Sequence, residues 1–118
     1  MLNKAREHLK SAEILFREEQ YRDAVSRAYY AAFSAMLAYV GQPPKGKWEH
    51  PGLRGVFIRK LGEAGMPVEN CRTLRSNLLD LHDARIDADY STTEIGKRVA
   101  IDALEIACNV ISLVERGG

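Results

Sequence analysis

Apolar residues recur along this chain at intervals of three and four and never in sustained alternation, so the pattern predicts helices and no strands. Ala5, Leu9, Ala12, Leu15 and Phe16, set between charged positions, mark an amphipathic first helix over about residues 2–18. Tyr21, Ala24, Val25, Ala28 and Ala32 form one face of a second, over about residues 21–40. The later half of that helix, AYYAAFSAMLAYV, is apolar on every side, which places it either centrally in a bundle or beneath another subunit. Gly41 stops it, and GQPPKGKWEHPG must be a loop, the one plausible functional loop, with two lysines and the only tryptophan. Pro51 suits the first turn of a short third helix over residues 52–64, with Leu53, Val56, Phe57 and Leu61 inward, Gly65 as its stop and His50 at the capping position. Pro67 opens a fourth helix, expected to reach Ala84 or Ile86 before a break over residues 87–90. Ser91 and Glu94 have capping-box spacing for a fifth, in which Ile95, Val99, Ala103, Ile106, Val110 and Leu113 step towards Gly117. The expected fold is all-α: an antiparallel four-helix up-and-down bundle with an additional short helix packed across it, one domain over residues 1–118.

The fourth helix carries charge where a core helix should have none. Cys71, Leu74, Leu78 and Leu81 make its apolar stripe, and at 100° per residue Arg85 falls in the middle of that stripe, with Arg75 and His82 on its flank. A guanidinium facing the core needs a partner, here Asp89 or a carboxylate of the first helix, or else a purpose. On the second helix, Ser26, Arg27 and Tyr30 lie opposite the Tyr21 stripe and read as a helix–helix seam, with Arg27 also a binding candidate. His50 reads as a cap or as a phosphate contact at a helix start.

Composition narrows the chemistry. With 118 residues, 46% of them hydrophobic, the chain can bury a genuine core, and a formal charge of +1 excludes a surface that is basic throughout, so any nucleic-acid site must be local. Cys71 and Cys108 fall on apolar stripes without paired metal spacing, which predicts small buried hydrophobes in a reducing compartment. His8, His50 and His82 lie on separate elements, so neither a metal nor another cofactor is expected. Gly41 and Gly46 are isolated turn residues and form no phosphate loop, and no motif supports a Ser or Cys nucleophile. The start has no signal-type apolar core and no run approaches a membrane span, which predicts a cytoplasmic protein without membrane contact.

Four stretches together carry a resemblance: AREHLKSAEILFREEQYRDAVSRAYYAAFSAML at the front, His50-Pro51-Gly52 with Phe57 beyond, LHDARIDADY over residues 81–90, and the Ala-rich last helix. They cover nearly the whole chain and resemble the HEPN domain, in its small stand-alone prokaryotic form. The resemblance implies an all-α bundle that usually forms a homodimer, often paired with a minimal nucleotidyltransferase as toxin and antitoxin. Active members of the family are metal-independent ribonucleases in which an Arg, four to six residues and a His meet their dimer mate in a shared cleft.

Arg75 and His82 have that pattern at its upper limit, with six residues between them. On one helix face they would stand about 10 Å apart, a span suited to the two ends of a phosphodiester. The histidine would exchange a proton with a ribose 2′-hydroxyl or the leaving oxygen, and the arginine would hold the phosphate. The subfamily match, Arg85-x-x-Ala88-Asp89-Tyr90, instead puts Arg85 at the family arginine and Tyr90 near the histidine. A tyrosine is a poor general base at neutral pH, so that alignment implies a non-catalytic module binding nucleotide, RNA or a partner protein through Arg85, Asp89 and Tyr90, with Arg75 and His82 on the surface.

Overall fold

Helical spacing in the sequence becomes five helices in the computed structural model, which describes residues 2–43, 45–92 and 94–117: α1 (Leu2–Arg17), α2 (Tyr21–Val40), α3 (His50–Glu63), α4 (Val68–Tyr90) and α5 (Lys97–Glu115). The fold is all-α, with no strand among the described residues. α2 packs against each of the other four helices, which answers its all-round apolarity from within the chain. Ala24, Ala28, Ala31, Ala32 and Ala35 are completely buried there, and their small side chains let the neighbouring backbones come close. Phe57, Met36, Leu53, Leu78 and Leu81 supply the bulk of the core around them.

Contacts between the helices set their directions. The short link after α1 puts Phe16 against Tyr21 and His8 against Tyr30, so α1 and α2 are antiparallel. α4 is antiparallel to α2, with Arg22 at Ala88 and Tyr29 at His82. α5 closes the bundle against α1, where Arg6 pairs with Glu115 at 2.7 Å. The short α3 runs in the same sense as the end of α2, with Tyr29 beside His50 and Tyr39 beside Phe57. It is therefore antiparallel to α4: His50 meets His82 at one end of their seam, and Gly62 meets Cys71 at the other.

Four expectations need correction. α4 does not break before Asp87 but continues to Tyr90, because Nη1 of Arg22 on α2 donates to the carbonyls of Asp87, Ala88 and Ser91 at 3.0, 2.6 and 2.9 Å. A cation from another helix thus satisfies the last turn, a stabilisation that α4's own sequence does not encode. Ser91 accordingly closes α4 rather than opening a capping box, and Gly96 precedes α5 without a side-chain cap. His50 is the first residue of α3 and not its cap; Glu49 holds that position in extended conformation. Cys108 is exposed and Cys71 half-buried, both as free thiols, so neither is a core residue.

The loop before α3 is folded on itself. Trp48 Nε1 donates to the Gly41 carbonyl at 2.7 Å, and its ring lies against Gly52, so the tryptophan serves loop closure. Pro44, part of the same loop, lies outside the described residues. No helix among the described residues is long and apolar enough to cross a membrane.

Candidate functional site

Where α2, α3 and α4 converge, their side chains form one cluster of titratable groups. α2 contributes Ser26, Tyr29 and Tyr30, α3 contributes His50 and Arg54, and α4 contributes His82, Arg85, Asp89 and Tyr90.

Arg85 is the centre. Its Nη2 donates to the Tyr30 hydroxyl at 2.9 Å, and its Nε stands 2.9 Å from Asp89 Oδ2 as an i,i+4 ion pair. That Nε is buried and lacks an aligned hydrogen bond, so its contact with Asp89 is Coulombic rather than directional. The second oxygen of Asp89 accepts from Ser26 Oγ on α2. Around the guanidinium stand the rings of Tyr29, Tyr30 and Tyr90, with centroids 5.2, 5.5 and 6.0 Å from Cζ. Burial works against the charge, yet the Tyr30 hydrogen bond and the Asp89 carboxylate outweigh it and hold the arginine above its usual pKa. The sequence expectation of an Asp89 partner is met.

Two imidazoles lie beside this arginine. The His50 and His82 rings are 6.1 Å apart, and Tyr29 touches both, at 5.5 and 5.9 Å. Burial pushes the Tyr29 phenol up to about 12, so it stays protonated, and its hydroxyl shares a hydrogen bond with His50 Nδ1. Burial, followed by the positive charge of Arg85, the neighbouring His82 and Arg54, holds His50 below its ordinary pKa. The His82 side chain is 25% exposed, with Nδ1 3.7 Å from Asp83 Oδ1. Arg54 has a buried Nη1 with no hydrogen-bond partner among the described residues, and its charge lowers both Tyr29 and His50. Two cations beside two imidazoles suit an oxyanion.

The structure thus brings His82 together with Arg85, Asp89 and Tyr90, which the sequence had divided between two competing motifs, and adds His50, read from the sequence as a cap or phosphate contact. It does not join Arg75 to them. Arg75 is exposed and opens into a separate groove between α3 and α4 with Arg59 and Arg72. Arg27 is exposed on the α1 side of Tyr30, where its charge, after burial, lowers His8. Sequence reasoning missed Tyr29, Arg54 and Arg22 as site residues. Tyr29 had a usable signal, a hydroxyl on a helix turn that is otherwise fully buried; Arg54 and Arg22 sit on ordinary polar faces and had none.

A helical bundle with an arginine and two histidines enclosed by tyrosines defines a small all-α protein with a cationic, aromatic site. Its family follows from comparison: the HEPN domain model matches residues 1–117, and the chain belongs to the HEPN domain family. It is also similar to a protein of Methanocaldococcus jannaschii named "Putative toxin MJ0605", 42% identical over 53 residues, which are 45% of this chain. The match spans 40% of that relative's length.

Proposed function

We propose that this HEPN chain is the toxin of a toxin–antitoxin type pair and a metal-independent endoribonuclease working through His82. The single observation that carries this reading is the pair of imidazoles 6.1 Å apart with the cations of Arg85 and Arg54 beside them. His82 takes the proton of a ribose 2′-hydroxyl; the 2′-oxygen bonds to phosphorus as the bond to the 5′-oxygen breaks. The leaving oxygen recovers a proton from the imidazolium or from water, and a 2′,3′-cyclic phosphate remains. Arg54 and Arg85, the latter held by Asp89 and Tyr30, contribute positive charge beside the phosphate. Tyr29 fixes the ring of His50, which lies beside the same phosphate.

Likeness to a named toxin and the family resemblance support a cytoplasmic pairing with a minimal nucleotidyltransferase as antitoxin. A homodimer belongs to the same reading. Leu79, Ile86 and Tyr90 line up on the outer face of α4 next to His82, and each is exposed, Tyr90 by 74%. A second copy placed there would enclose the histidines between two protomers. Light scattering at micromolar concentration should show about twice the chain mass.

The deciding experiment is cleavage of single-stranded RNA in EDTA, read by the cyclic phosphate product, with His82→Ala as control. Intact RNA at every pH from about 5 to 9, with the dimer confirmed, would end the ribonuclease reading.

A second reading rests on how fully Arg85 is engaged. With its Nη2 on Tyr30 and its Nε on Asp89, the arginine is a fixed cation beneath the exposed Tyr90 ring, an arrangement that suits stacking of a nucleobase without cleavage. Nucleotide binding lost in Arg85→Gln and untouched in His82→Ala would favour it.

A further inference from the structure

We infer that the groove lined by Arg59, Arg72 and Arg75 is a phosphate-binding track that holds single-stranded RNA flanking the bond engaged at the histidine pair.

The groove opens between the end of α3 and the start of α4 and has a volume of about 520 Å³. Three guanidiniums line it, and none has a hydrogen bond or ion pair to another described residue. Glu63 is the one carboxylate in its lining. On a chain whose formal charge is +1, this concentrates positive potential on one strip of surface. Structural arginines on a helical bundle usually find carboxylates, as Arg6 does with Glu115 and Arg98 with Asp102. Here the donors point into an open groove. Met66, Val68 and Cys71 form its apolar part, with Val68 73% exposed, so cations border a surface on which base faces can rest.

Continuity selects the ligand. α3 and α4 are antiparallel, and their seam leads from Gly62 and Cys71, inside the groove, to His50 and His82 in the cluster. Arg54, with its unbonded Nη1, lies on α3 between the two ends. From Arg72 to Arg85 the seam covers about 20 Å at the helical rise, with Arg75 about 10 Å from His82 along the axis. A row of cations over that length, ending at a phosphodiester-cleaving pair, matches the regular charge of a polynucleotide backbone better than the scattered carboxylates of an acidic protein segment. The proposal deepens the ribonuclease reading and rests on it for the identity of the strand.

The test measures binding by fluorescence anisotropy, in the His82→Ala background so that no strand is cut. A labelled RNA decamer and a dinucleotide are compared across a salt series. Replacing Arg59, Arg72 and Arg75 together by Gln should weaken decamer binding at least tenfold. It should also flatten the slope of log K against log salt by about 2, three contacts at about 0.7 each for single strands, while the dinucleotide binds as before. All three side chains are exposed, so the fold should survive; the single variant Arg72→Glu should reproduce the direction if the triple variant does not. Unchanged decamer affinity and slope in the triple variant, with binding lost in Arg54→Gln, overturns the track and leaves the ribonuclease reading intact. Loss of decamer binding in the triple variant, together with an unmutated chain that never cleaves, upholds the track and sinks the ribonuclease reading. Binding of polyglutamate that depends on the three arginines while RNA binding does not overturns the proposal in favour of an acidic protein partner.

Discussion

The two ends of the α3–α4 seam treat charge in opposite ways. At the end that meets α2, Arg85 is answered by Asp89 and Tyr30, Asp89 by Ser26, and His50 by Tyr29, each from another turn or another helix. At the far end, Arg59, Arg72 and Arg75 face an open groove without such partners among the described residues. The difference follows from burial. A charge or imidazole enclosed by three helices loses its water and must be compensated by the fold, whereas an exposed guanidinium keeps its hydration and can exchange it for a ligand. Enclosure therefore fixes position in the cluster, and openness leaves capacity to bind in the groove.

The largest expected effect lies in the cluster. His82→Ala should lower RNA cleavage by about 10²–10⁴-fold, the usual loss for one positioned acid–base group, in a gel assay run in EDTA. Equal cleavage by the variant would move the chemistry away from the seam's enclosed end. Next is stability. Arg85→Ala leaves Asp89 and Tyr30 without their partner and should cost about 2–3 kcal/mol in a urea melt, whereas Arg75→Ala should stay within about 0.5 kcal/mol. Similar losses for the two would erase the contrast between enclosed and open charge. Arg22→Ala removes the clamp on the last turn of α4 and should cost about 1 kcal/mol. Because that turn carries Asp89 and Tyr90, faster amide exchange over residues 87–91 than in the unmutated chain would register the loss, and unchanged exchange would show that α4 holds its end alone.

The smallest effect is a pH dependence. His50 and His8 have folded pKa values below the unfolded 6.5, both first through burial. Between 6.5 and the lower folded value the unfolded chain binds more protons, so stability should fall as pH drops through that window and level off below it. Thermal midpoints at pH 7.5 and 5 should show this loss, and His50→Gln should shrink it. His50 faces Tyr29 and Phe33 from α2, Arg54 from α3, and His82 and Arg85 from α4, so the part of the loss that His50→Gln removes reports the enclosed end, and the rest belongs to His8 on α1. A midpoint that rises on acidification would mean that His50 gains a carboxylate partner.

Much of this architecture can be read from local pattern. The span of α2 was legible to the residue, because Gly41 and the apolar turns before it mark where the helix must stop. Arg85 was legible as an anomaly, since a guanidinium on an apolar stripe costs free energy wherever the stripe is buried, and its partner four residues on lay within reach of the same helix. The end of α4 was not legible. Asp87 to Tyr90 have poor local helix signals, and the clamp that extends the helix comes from Arg22, more than sixty positions earlier in the chain.

Sequence alone determined the helical class, the inward faces and the presence of misplaced charge, because each depends on spacing within one element and on the cost of burying polar groups. Tertiary structure decided which charges meet. His50 and His82 belong to different helices, and neither sequence position constrains the other until α3 packs antiparallel along α4 and Tyr29 seats the ring of His50. The same packing gives Arg75, seven residues before His82 on the same helix, to a groove with Arg59, whose side chain comes from the other wall. Spacing along a helix specifies a face, but what stands opposite that face depends on how the helices dock, through contacts far apart in sequence.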